Sequence, residues 1–179
     1  VCRNITKVVS QPKFRTSQKF VDEMKGFSSV PQDLEAVDTP EEAVTDADII
    51  CAATTSSTPV LRYQDLKSGV HINGVGSFQP SMQEIDSETI RNALVFVDSR
   101  GSALSETGDL TIPIQEGIIG KNHLRAEIGE LLENPSLGRK TPDEITFFKS
   151  CGVAVQDVVA AGMALEQAKK NNLGRIIRM

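Results

Sequence analysis

The sequence predicts an α/β domain whose parallel sheet carries helices on both faces, and three observations lead to that expectation. Short apolar runs recur at 48–53 (DIICAA), 70–75 (VHINGV) and 94–98 (LVFVD). Helical patterns lie between such runs, and several of the runs stop at small or hydroxylic residues. A strand buried on both faces needs no polar alternation, so continuous apolar runs separated by helices fit a parallel sheet.

Taken in order, residues 5–10 form a β-branched run that predicts a first strand. Pro12 closes it, and Phe14, Phe20, Val21 and Met24 fall on one face of a helix. Residues 26–32 are a Gly/Ser/Pro connection, and 34–37 a short strand. Thr39 is placed to cap a brief helix that starts at Pro40 and runs to about Ala47. The strands at 48–53, 70–75 and 94–98 follow, with a short helix predicted over 87–92. Residues 101–120 read as irregular, 126–132 as a helix, 134–141 as a polar loop and 144–148 as another strand. The last element is a helix over 153–170, with Val155, Val158, Val159, Leu165 and Ala168 at helical spacing.

Composition narrows the function classes. Of the 179 residues 39% are hydrophobic and 24% charged, the balance of a soluble globular domain. No apolar stretch approaches the roughly 20 residues of a membrane span. A net charge of -5, one Tyr and no Trp argue against phosphate neutralisation and base stacking, so no nucleic-acid partner is expected. Cys2, Cys51 and Cys151 are odd in number and far apart, which fits a reducing, cytoplasmic setting. His71 and His123 lack partners at ligand spacing, so no metal is expected. What remains is a small-molecule partner.

The strand ends are where such a partner is expected, because an open α/β sheet binds ligands in the crevice beyond its strand carboxyl ends. Ala53-Thr54-Thr55-Ser56-Ser57 follows the first buried run, and its hydroxyls and free amides suit phosphate or ribose oxygens. Asn73-Gly74-Val75-Gly76-Ser77-Phe78 follows the next, where glycines allow a flat ring close to the backbone. Ser150-Cys151-Gly152 lies between the 144–148 strand and the last helix, offering helix N-terminal amides to an anion or carboxamide. Ordinary turn chemistry accounts for each of these segments on its own.

As a set they carry a resemblance. DADIICAATTSSTPVL (46–61), VHINGVGSFQPSMQEID (70–86), VFVDSRGSALSETGDL (95–110) and DEITFFKSCGVAVQD (143–157) are similar, in order, to successive blocks of the ornithine cyclodeaminase/mu-crystallin family. The resemblance implies a Rossmann-type domain binding NAD(H) or NADP(H), and a homodimer when full length. It also implies that Thr54 and Thr55 line the cofactor and that Val75 and Gly76 lie near the nicotinamide. Ser150 would border the cofactor, with Cys151 and Gly152 adjacent to substrate.

Two departures refine the expectation. Cyclodeaminases of the family carry an Asp at the position of Phe78, and Phe cannot do proton chemistry. The version with Phe resembles members that reduce cyclic ketimines or oxidise amino acids, so a small imino or amino acid is the expected substrate. The alternatives are ornithine cyclodeamination and a non-catalytic, NADPH-binding crystallin-like protein. The second departure is that no Gly-x-Gly-x-x-Gly loop is present. Residues 1–152 are therefore expected to be a partial Rossmann domain lacking its first strand and phosphate loop. Residues 153–179 would pack back towards an amino-terminal domain, and the catalytic residues would lie upstream of Val1. At the end of the 5–10 strand, which would be the second of the Rossmann unit, Ser10 to Arg15 contain Lys13 and no acid, which favours NADP(H) over NAD(H).

Overall fold

A computed structural model describes residues 7–8, 14–28, 30–175 and 177. Two parallel sheets are formed, by the predicted strand runs and by one strand, at 124–127, that is not among them. The smaller pairs β1 (Lys7–Val8) with β2 (Glu35–Ala36), with α1 (Phe14–Met24) between them. The larger contains β3 (Ile49–Ala52), β4 (His71–Gly74), β5 (Leu94–Val97), β6 (Leu124–Glu127) and β7 (Thr146–Lys149) in the order β3-β4-β7-β5-β6. All of its pairings are parallel. The strand nearest the carboxyl end thus sits at the centre, between β4 and β5.

Local signals explain most element boundaries. The Thr39 side chain accepts from the Glu42 amide and starts α2 (Pro40–Val44), as its N-cap position predicts. Asp86 caps α3 (Ser87–Asn92) through the Thr89 amide. One expectation is corrected over 101–120, which is not irregular: α4 (Arg100–Glu106) and α5 (Gly108–Gln115) occupy it. Ser99 and Thr107 cap them, and a proline inside α5 hides its periodicity. A second correction concerns 126–132, where β6 ends at Glu127 and α6 (Ile128–Glu133) begins at once. The reciprocal capping box of Glu127 and Glu130 makes that switch.

One face of the larger sheet makes the core. Ile50, Ala52, Ile72, Val95, Val97 and Phe147 are buried with Ile90 of α3, Ala103 of α4 and Leu110 of α5. Each Val, Leu, Ile or Phe among them contributes about 1.5–3 kcal/mol on leaving water. The opposite face is covered by α6 near β6, while at the other edge Ile49 is 45% exposed and Cys51 is exposed. The expectation that β3 is buried on both faces is therefore corrected among the described residues. Phe20, read as part of an apolar helix face, is likewise 45% exposed, and Val21 is the buried apolar side chain among the described residues of α1.

The last helix, α7 (Ala154–Lys170), has no buried residue. Val155, Val158, Val159, Met163 and Leu165 are all exposed. No helix of the described residues is long and apolar enough to cross a membrane.

Candidate functional site

Strand register creates the site. The last paired positions of the larger sheet run Ala52, Gly74, Lys149, Val97 and Glu127 from edge to edge. Each chain leaves its strand at this one rim. The three segments singled out in the sequence, at 53–57, 75–78 and 150–152, therefore emerge side by side from adjacent strands. Main-chain bonds continue the alignment past the ladder: Val75 N donates to Ala52 O at 2.8 Å, and Ser150 N to Gly74 O at 3.0 Å.

The closest approach is between Thr54 and Gly76. A Cβ on Gly76 would stand 2.0 Å from the Thr54 carbonyl oxygen, 2.3 Å from its nitrogen and 2.5 Å from Glu84 Oε1. Only glycine fits there. Thr55, Val75 and Phe78 are exposed at the same rim, Val75 at 52% and Phe78 at 56%. Ser150 and Cys151 are partly buried, and Gly152 is exposed with a φ of 82° that favours glycine. Lys13 lies outside the described residues.

The amides expected to receive an anion or carboxamide are engaged internally. Asp98 Oδ2 accepts from Cys151 N at 2.8 Å, Gly152 N at 2.6 Å and Ser150 Oγ at 3.1 Å. Its other oxygen accepts from Ser99 N. Asp98, just after β5, thus fixes the turn that links β7 to α7. The Cys151 thiol is pushed up to about 11 by burial, with the nearby Asp98, Glu106 and Asp109 carboxylates adding to the shift. It stays protonated at neutral pH and is no thiolate nucleophile.

Behind the rim lies a buried polar group of residues that the sequence did not reveal. Glu84, Ser77, Thr107, Asp109 and Lys149 are all fully buried. Glu84 accepts from the amides of Thr54 and Ser77. Asp109 Oδ1 accepts from Glu84 N at 2.7 Å and Ile85 N at 3.1 Å. Lys149 Nζ lies 3.5 Å from Asp109 Oδ2, and neither atom has a hydrogen-bond partner. Burial raises the Asp109 carboxyl above the usual range, while Lys149 and the two amides pull it down. A lone cation in the apolar run Phe147-Phe148-Lys149 was the available signal, because a buried Lys demands a counter-charge.

A cavity of about 600 Å³ lies elsewhere, on the sheet face that carries Ile49, His71, Asn73, Phe96 and Phe148. Its polar groups satisfy one another: His71 Nδ1 meets Thr146 Oγ1 at 2.8 Å and His71 Nε2 meets Asn73 Oδ1 at 3.3 Å. Burial lowers the His71 pKa. Among the described residues no group of His, Cys, Asp and Glu is placed to hold a metal ion.

The geometry can be set beside known proteins. The family model for the ornithine cyclodeaminase/mu-crystallin family matches residues 4–172. A delta(1)-pyrroline-2-carboxylate reductase of Bacillus cereus is 46% identical over 137 residues, 76% of this chain and 42% of the relative. The structure of Thermococcus litoralis delta(1)-pyrroline-2-carboxylate reductase in complex with NADH and L-proline superposes with a TM-score of 0.87 at 35% identity. It covers 98% of this chain and 54% of the other. An archaeal alanine dehydrogenase dimer with bound NAD gives a TM-score of 0.84 at 30% identity, over 97% of this chain and 52% of the other. The chain spans about half the length of these relatives. With nearly its whole length matched, and its sheet that of Rossmann-type relatives, the chain belongs to the ornithine cyclodeaminase/mu-crystallin family.

Proposed function

We propose that this chain is the nicotinamide-cofactor-binding part of an enzyme that reduces small cyclic ketimines, pyrroline or piperideine carboxylates, with NAD(P)H. The observation that carries the reading is the shared rim on which 53–57, 75–78 and 150–152 meet, with Gly76 packed so closely on Thr54 that a side chain is excluded. The fit to a dinucleotide is good: the rim offers the exposed hydroxyl of Thr55, the exposed apolar side chain of Val75 and a bare backbone at Gly76. The cofactor, when bound, supplies the hydride.

The chain's own residues supply position. Thr54 and Thr55 line the cofactor, Val75 and Gly76 flank its nicotinamide, and Ser150 holds the ring from the β7 side, with Cys151 and Gly152 towards the substrate. Phe78 closes the rim with an apolar ring at the position where a cyclodeaminase of the family carries an Asp. It holds no proton, and that favours reduction over deaminating cyclisation. Lys13 and the absence of an acid near it favour NADP(H), whereas the solved relatives carry NADH or NAD. The exposed apolar side chains of α7 are read as the surface that packs on the rest of the longer protein or across a homodimer.

The test is an assay of the full-length protein. Pyrroline-2-carboxylate or piperideine-2-carboxylate is expected to drive oxidation of NADPH, and of NADH more slowly. Ammonia release from L-ornithine without ketimine reduction would make it a cyclodeaminase. Tight NADPH binding with neither activity would make it a crystallin-like binder.

A further inference from the structure

The turns at the rim come from different strands, and past the bond from Val75 N to Ala52 O the ladder no longer sets their spacing. A single carboxylate does. Glu84 belongs to the connection between β4 and α3 and is fully buried. One of its oxygens accepts from Thr54 N and the other from Ser77 N, the latter at 2.9 Å. Those amides flank the Gly76 contact on either side.

Glu84 is itself fixed. Its amide donates to Asp109 at the start of α5, and its carbonyl accepts from Val60 N at 2.8 Å and Leu61 N at 3.1 Å. Ser77 is held in turn, its hydroxyl donating to Met82 O at 2.6 Å and meeting Thr107 Oγ1 at 2.8 Å. The clamp is therefore rigid from both ends. A buried carboxylate is costly unless its oxygens are hydrogen-bonded, and here each is used on one turn of the rim.

We infer that Glu84 is a positioning residue, whose carboxylate sets the separation of the Thr54 and Ser77 turns and so the groove that takes the cofactor. This rests on the proposed function for the identity of the ligand. Glu84→Gln keeps one acceptor oxygen but turns an NH2 group towards the other amide, two donors facing each other, so one of the two turns is released.

The experiment compares wild-type and E84Q full-length protein by amide hydrogen exchange and by NADH and NADPH titration, with kcat measured at saturating cofactor. Wild-type Thr54 and Ser77 amides are expected to exchange slowly, although neither is bonded within a strand ladder. In E84Q one of them should lose protection while Val75 keeps its own. Cofactor affinity should fall about tenfold or more, the loss expected for one charged hydrogen bond, and kcat should fall with it. Unchanged affinity and kcat in a folded E84Q of lower Tm would overturn the inference. So would fast exchange of both wild-type amides, which decides the matter even where E84Q does not fold. Wild-type protein that binds neither cofactor would instead contradict the proposed function, and exchange would still report whether the clamp exists.

Discussion

Gly76→Ala is expected to lower kcat/KM for the ketimine on the order of a hundredfold in the full-length protein and to cost about 3 kcal/mol of stability. The reason is space. The new methyl group would fall 2.0 Å from one backbone atom of Thr54 and 2.3 Å from another. Backbone cannot swing aside as a flexible side chain can, so the turn at 75–77 must move away from β3 by about an ångström or more. A displacement of that size at a site of cofactor contact misaligns the reacting groups. Gly129→Ala is the matched control, since a Cβ there meets nothing within 4 Å. It lies inside α6, where alanine should stabilise by up to about 1 kcal/mol. Steady-state kinetics and thermal unfolding of both variants check the contrast. Wild-type kinetics in G76A would show that the Thr54 contact is not tight in solution.

Asp109→Asn is expected to destabilise the protein by about 3–5 kcal/mol, because it leaves Lys149 buried without its counter-charge. Lys149→Met removes the cation and leaves Asp109, whose carboxyl is already raised by burial. In that variant Asp109 can take up a proton and shed its charge. The sign follows from linkage. An acid whose folded pKa is raised binds its proton more tightly folded than unfolded, so stability falls as pH rises from the ordinary carboxylate value through the folded one. The stability deficit of K149M should therefore be smallest in acid and grow towards neutral pH. In the double variant the two costs should not add, because no lone charge remains. Denaturant unfolding at several pH values measures all of this. Single-variant losses below about 1 kcal/mol would mean that the pair is solvated and not the buried ion pair seen at the centre of the sheet.

The parts of the fold legible in the sequence were those with a local signature. The Thr39-Pro40 helix start, the helix over 87–92 and the apolar runs that became β3, β4, β5 and β7 each follow from capping or patterning. The β6-to-α6 switch was hidden because strand and helix abut at Glu127 with no turn residue between them. α4 and α5 were hidden by their glycines and Pro113, which weaken helix propensity while Ser99 and Thr107 restore it by capping. At the site, the segments at Thr54, Gly76 and Ser150 were visible as strand ends rich in small residues. Glu84, Asp109 and Lys149 were not, because their pairing spans 25 to 40 residues of chain and depends on tertiary packing. The hold of Asp98 on 150–152 likewise appears only once β5 and β7 are neighbours.

The central claim, that the carboxyl ends of β3, β4 and β7 form one groove for a dinucleotide, is tested most directly by a crystal structure of the full-length protein with NADPH or NADH bound. The nicotinamide ring is expected against the 75–77 backbone, in contact with Thr54 on one side and Ser150 on the other. A cofactor seated in the cavity beside His71 and Phe148, with the Gly76 rim empty, would contradict it.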